Sequence, residues 1–327
     1  MLGNASYRAV LAVKDEGRDA LAACGGLRSL TAARAAIGPS RAIPPKTNSE
    51  TLIMNANVDI SLPSHANAFD RGLTLDAVRT RAPAVFALSA HERTSPKYTF
   101  IPTERVLTGL MNAGFVPVDA RQTHTHRASW LHARHIVRLR RRFETIELKG
   151  SVPEVVFLNS HDGTSAYQLR MGLFRVVCTN GLIVSRGAFP AYCVSHRGNV
   201  VDEVIAGALK VSEQFDRLAA QVERMEQRHL FKDEQLRFAG LALALRFPDP
   251  AVSGMQPGQL LACRRAEDTG DDLWTVMNRV QEALLRGGLS RRSANGHLTR
   301  TRRITSIKED VRLNSGLWDL ATEVLAA

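Results

Sequence analysis

Cysteine is scarce. The chain has four, at 24, 178, 193 and 263, with no CxxC pair. That pattern excludes a disulfide-stapled small scaffold and a cysteine-rich zinc site, and it leaves reduced thiols in a cytoplasm as the expectation. Long apolar runs are also missing. None approaches the ~20 residues a membrane-spanning helix needs, so no membrane partner is expected. Aromatic residues make up only 6%. Acidic residues are outnumbered, 32 against 43 Lys and Arg, which gives a formal net charge of +11 and a pI of about 10.1. A chain so basic favours polyanionic partners, nucleic acid before membrane surface. Its 327 residues with 44% hydrophobic content are enough for a substantial core and for two domains, or one domain with a tail.

The first 65 residues are rich in Ala, Arg, Gly and Ser and poor in periodic apolar positions. They read as a weakly ordered extension, without the basic, apolar and cleavage-site order of a secretory signal. Ordered structure is expected from about residue 70. Tyr98-Thr99-Phe100-Ile101 alternates like a strand. Thr103 reads as the cap of a helix with Val106, Leu107, Leu110 and Met111 on one face, ended by Gly114. Phe115–Arg121 reads as the next strand.

The centre of the chain is Val155–Arg170. An apolar run ends in the turn Asn159-Ser160-His161-Asp162-Gly163, and a second apolar segment runs on to Thr179-Asn180-Gly181. Gly163 suits a turn that needs positive φ. Asn159, His161, Asp162 and Asn180 are candidate site residues, with backbone-bonding turn chemistry as the plain alternative.

Positive charge is concentrated in two segments. Residues 121–150 hold eight Lys and Arg against two Glu, and residues 286–308 hold seven and no acid. Extended, the first segment puts Ile136, Arg138, Arg140 and Arg142 on one face and Val137, Leu139, Arg141 and Phe143 on the other. The cationic face reads as a phosphate-contacting surface or as a solvated edge strand. The second segment, a Gly-, Ser- and Arg-rich loop, offers Arg291, Arg292, Arg300, Arg302 and Arg303. Trp130 and Tyr167 are available for base stacking. His124, His126, His132 and His135 fall within twelve positions. No HExxH, CxxC or His-Asp-His pattern completes a ligand set, so neither a metal nor a cofactor is expected.

From Val201 the period becomes helical. Val201, Val204, Ala208, Val211, Phe215, Leu218, Val222 and Met225 alternate steps of three and four, an a/d seam. It reads either as one long core helix or as a coiled coil between copies through 201–226. Helices follow over Asp233–Leu245, Asp271–Leu285 and Glu309–Leu325. The fold expected is α+β: a mostly antiparallel sheet over about 70–200, then a helical region over 201–327 carrying the basic loop 286–308.

Leu158-Asn159-Ser160-His161-Asp162-Gly163-Thr164-Ser165 and Phe174-Arg175-Val176-Val177-Cys178-Thr179-Asn180-Gly181-Leu182 resemble the phage/plasmid-like domain-of-unknown-function 932 family. So do Tyr98–Thr103, His135–Arg138, Asp271–Trp274 and Asn278–Glu282. The resemblance covers roughly 70–325 and implies a protein of bacterial plasmids, prophages and integrated elements, with no settled activity. The order of elements after Gly114-Phe115 is similar to the β-β-β-α core of single-strand annealing proteins. Two functions stay open. One is a nucleic-acid-binding protein, single-stranded DNA favoured, acting through the arginines named above. The other is a hydrolase-like enzyme using His161 and Asp162 with Cys178, or a purely structural role; no catalytic residue is assigned.

Overall fold

The computed structural model describes residues 72–123, 128–142, 146, 148, 150–175, 181–184, 189–248, 254–292 and 295–327. The expectations placed on residues 1–65, on His124 and His126, and on Cys178 and Asn180 lie outside the described residues.

Helix α1 (Leu75–Arg81) starts at Thr74, whose hydroxyl accepts a hydrogen bond from the Ala77 amide at 3.2 Å. A proline-led 3₁₀ turn, Pro83–Phe86, buries Val85 and Phe86. Residues 98–101 do not form the expected strand. The Thr99 amide bonds the His196 carbonyl outside any ladder, and the Tyr98 and Phe100 rings pack on His196 and His161. The alternation reflects packing on a histidine cluster, which periodicity alone does not distinguish from a sheet face.

Helix α2 (Thr103–Asn112) buries Val106, Leu107 and Leu110. The sheet follows: β1 (Phe115–Gln122), β2 (His135–Arg141), β3 (Ser151–Asn159), β4 (Tyr167–Arg175), β5 (Gly181–Val184) and β6 (Tyr192–Val194). Its order is β1-β2-β3-β4-β5, antiparallel throughout, with β6 pairing the start of β4 and β5 its end. The segment after the third strand is therefore a fourth strand, and the first helix beyond the sheet comes only after β6. This departs from the β-β-β-α order. Tyr167, Leu169, Met171 and Leu173 alternate inward with period two, which is strand packing.

Beyond the sheet lie α3 (Val200–Ser212), α4 (Phe215–Gln227), α5 (Lys232–Arg246), α6 (Leu273–Arg286) and α7 (Ile307–Ala326). The chain is α+β as expected. The seam of 201–225 is not one helix: it breaks at Glu213-Gln214. Val204, Ala208, Val211, Phe215, Leu218, Val222 and Met225 are all buried in the chain's own core. Residues 286–308, read as a loop, contain the hairpin β7 (Ser290–Arg292) and β8 (Leu298–Arg300).

The sheet separates two apolar clusters. Val137, Leu139, Val155, Phe157, Tyr167 and Leu169 join the helices in the large core. Ile136, Val156, Leu158, Phe174 and Ile183 meet Ile307 and Val311 of α7 on the other face. Every residue of β3 is buried, because both of its faces are covered. Among the described residues no helix is long and apolar enough to cross a membrane.

Candidate functional site

Polar groups collect in two places, one on each face of the sheet. On the large-core face, at the end where β2 starts and β3 finishes, Thr103 is a hub. Its Oγ1 lies 2.9 Å from His135 Nε2, from His161 Nε2 and from Asn159 Nδ2. All four residues are fully buried. The proton positions follow from the partners. His135 Nδ1 faces the Ala133 carbonyl at 2.9 Å, so it carries the proton and Nε2 is bare. Thr103 therefore donates its one hydroxyl proton to His135. It accepts from Asn159 and from His161, which must be protonated at Nε2. His196 donates from Nε2 to Asn159 Oδ1 at 3.1 Å. The network requires a neutral His135, whose Nε2 must accept. His161 and His196 donate from Nε2 and leave their buried Nδ1 atoms without a hydrogen-bond partner among the described residues, so a proton there would be buried and unpaired.

Burial drives the same way. It lowers His135 and His196 to about 4, and it lowers His161 further, helped by His135, His196 and His132. His161 Nδ1 is buried with no hydrogen-bond partner among the described residues. Tyr98 and Tyr167 stack on His196 at 4.4 and 4.3 Å, and burial raises both phenols. Tyr167 is fully buried and donates to the Ile101 carbonyl at 2.6 Å, so it is not available to stack on a base. Trp130, at 44% exposed, is.

His161 and Asp162 are neighbours in sequence and serve different ends. Burial pushes the Asp162 carboxyl up, but hydrogen bonds from Thr164 and Ser160 and the Arg134 charge outweigh it, so the group sits below its usual range. Its Oδ1 accepts from Ser160 Oγ at 2.7 Å, Thr164 N at 3.0 Å and Thr164 Oγ1 at 2.6 Å. This is turn chemistry, as weighed from the sequence. Asn159 and His161 belong to the buried network instead. Among the described residues no group of three or more His, Cys, Asp or Glu is placed to hold a metal ion.

The opposite face carries a groove of about 480 Å³, bordered by Asp119, Arg121, Ile136, Arg138, Phe174, Gly181, Leu285, Arg286, Arg303, Ile304 and Asp310. The alternation of β2 sends Arg138 and Arg140 to this side. Both are half-buried and meet Glu154 of β3, whose side chain is fully buried. Arg138 donates to it from Nε at 2.6 Å and Nη2 at 2.9 Å, and Arg140 donates from Nε at 2.8 Å. Arg138 also lies 3.6 Å from Asp119. Arg121 pairs with Asp310, and Arg286 with Glu282 at 3.3 Å. The strand arginines are thus largely balanced by carboxylates. Glu154 was legible as the one acid in an apolar strand beside Arg138-x-Arg140, and sequence reasoning passed over it.

The loop arginines differ. Arg291, Arg300, Arg302 and Arg303 enter no ion pair among the described residues. In the hairpin, Arg292 faces Leu298 and Ser290 faces Arg300, so Arg292 and Arg300 share one side and Arg291 takes the other. Arg142 lies one residue beyond β2 and is exposed. Gly287 makes the hairpin's return possible. Its φ is +70°, and a Cβ there would come within 2.6 Å of the Thr301 carbonyl oxygen. The chain leaving α6 and the chain entering α7 are thereby held together, which brings Arg286 and Arg303 to one groove.

An antiparallel sheet with a neutral histidine network on one face and an arginine-lined groove on the other is an α+β domain of mixed polar character. The chain belongs to the family described as Domain of unknown function (DUF932), which matches residues 90–318. It is similar to UPF0380 protein YafZ and to UPF0380 protein YfjQ, both of Escherichia coli strain K12. Each is 40% identical over 257 residues, covering 78% of this chain and 93% of the relative. No solved structure matches the chain at a significant level.

Proposed function

We propose that this protein binds nucleic acid, single-stranded DNA above all, along the groove and the adjoining hairpin. One observation carries the reading. Arg286 and Arg303 border the same groove as Arg138, and Arg291, Arg292 and Arg300 lie on the hairpin that runs between those two residues. Segments far apart in sequence and both rich in positive charge meet at one place on the surface. A cationic groove that tracks a phosphate backbone is the usual basis of sequence-tolerant single-strand binding. A volume of about 480 Å³ suits one or two nucleotides and is too small for a duplex. We extend the reading to a cytoplasmic role in replication or recombination of a mobile element, the setting that the family resemblance implies.

The test is fluorescence anisotropy with a labelled single strand and its duplex, titrated between about 50 and 200 mM salt. The single strand is expected to bind more tightly, with a log–log slope of about −0.7 per phosphate neutralised. No binding at low salt, or binding indifferent to salt, contradicts the proposal.

A further inference from the structure

Within that reading, and resting on it, we infer that the groove holds an unpaired base as well as the phosphates. The receiving surface is the outer face of the Arg138 guanidinium, backed on its other face by the buried Phe174 ring, and the ligand is a single-stranded nucleotide whose base has left any stack. The Arg138 guanidinium carbon sits 3.5 Å from the centre of the Phe174 ring. The edges of that guanidinium are turned to carboxylates, Nε and Nη2 to Glu154 and Nη1 to Asp119. Its plane is therefore fixed and its charge balanced. What it brings to the groove is a flat, weakly hydrated face, more than a spare charge.

The sheet is shaped to keep Phe174 there. A Cβ at Gly181 would lie 1.8 Å from Phe174 Cδ1, and one at Gly172 would lie 2.4 Å from Cε2. The ring occupies the space that side chains at both positions would fill. Ile136, Leu285 and Ile304 supply apolar walls. Arg286 and Arg303 stand at the same groove, where the phosphates of the bound nucleotide would lie. The two carboxylates on the lining are engaged: Asp119 by Arg81 and Arg138, Asp310 by Arg121 and Asn314. Planar stacking, apolar walls and adjacent guanidinium groups are the requirements for a base with its phosphate.

The experiment compares a short single-stranded oligodeoxynucleotide with an abasic sugar-phosphate strand of the same length, using the full chain. The wild-type protein is expected to bind the abasic strand roughly 5- to 150-fold more weakly. Arg138→Lys keeps the charge and loses the plane. It is expected to remove most of that preference and leave the salt slope unchanged. Phe174→Leu keeps an apolar residue in the cluster and is expected to act the same way, and it serves if a thermal melt shows that Arg138→Lys does not fold. Equal binding of the two strands by the wild type overturns the base slot while phosphate binding stands. A full preference retained in the folded variants also overturns it. Binding of neither strand overturns both readings.

Discussion

Thr103, Asn159 and three histidines share their hydrogen bonds on one face of the sheet, closed off from water and uncharged. On the other face Arg138 and Arg140 meet Glu154, and the groove beside them is bordered by Arg303, which enters no ion pair among the described residues. The same β2 supplies both, His135 to the first and Arg138 to the second, three residues apart. The difference follows from what covers each face. The start of α2, at Thr103, and the turn before α3 seal the histidines, so only neutral rings are tolerated there. α7 reaches across only part of the second face, at Ile307 and Val311. Charge there is solvated or paired. The sealed face stabilises the fold, and the open one is the face proposed here to bind nucleic acid.

The largest expected effect breaks the sealed face with protons. His135 and His196 fall to about 4 in the fold, and His161 falls further, against an ordinary value near 6.5. Above about pH 6.5 folded and unfolded chains both hold these rings neutral, and the network's contribution is fully present. As pH falls from 6.5 toward about 4 the unfolded chain takes up protons that the fold refuses. Stability is then lost at about 1.4 kcal/mol per pH unit for each histidine. Tyr98, Tyr167, Asp162 and Arg134, packed around them, keep their charge states across that window, while His132, which burial also lowers, adds to the loss in the same direction. Urea midpoints at pH 7 and pH 5 are expected to differ by several kcal/mol in stability, and His135→Gln should reduce the difference. Equal midpoints would show that the rings are hydrated.

Thr103→Val, nearly isosteric, is expected to cost about 3 kcal/mol, because three buried polar groups lose their common partner. A melt should show a drop of roughly 5–10 °C. A smaller loss, under about 1 kcal/mol, would mean that the network rearranges around the methyl group.

The fold was largely legible in the sequence, and the sealed site was not. Period two in β2 and β4 and period 3.6 in α2, α6 and α7 are local signals, each visible within a dozen residues. The histidine network joins positions 103, 135, 159, 161 and 196, and only the sheet register brings them together. Thr103 looked like a helix cap because its hydroxyl can serve either purpose. Tyr98 and Phe100 looked like a strand because rings that pack on a cluster alternate as rings on a sheet do. The four-histidine cluster was noticed, and only His135 of it joins the Thr103 network among the described residues. Arg138 and Arg140 were assigned to one face correctly. The burial of Glu154 between them depends on a pairing that no local window contains.

Glu154→Gln sharpens the comparison from the open side. It keeps the shape and hydrogen-bonding edge but removes the charge that balances Arg138 and Arg140. A stability loss of about 2 kcal/mol is expected, since both arginines still reach water. The freed charge should tighten oligonucleotide binding and steepen the salt slope by about 0.7. Tighter binding with an unaltered slope would mean that the arginines do not meet phosphate.

The smallest effect on the fold goes with the most direct test of function. Arg300, Arg302 and Arg303 lie on or just after the hairpin and are exposed. Replacing all three by Ala should change stability by no more than about 0.5 kcal/mol per site. Binding of a single-stranded oligonucleotide by wild type and by the triple variant, followed against salt, is the decisive measurement. The slope is expected to flatten by about 2, with all sequences weakened alike, because phosphate contacts position a strand without reading it. An unchanged affinity and an unchanged slope would contradict the account, and the hairpin would then be a solvated connection between α6 and α7.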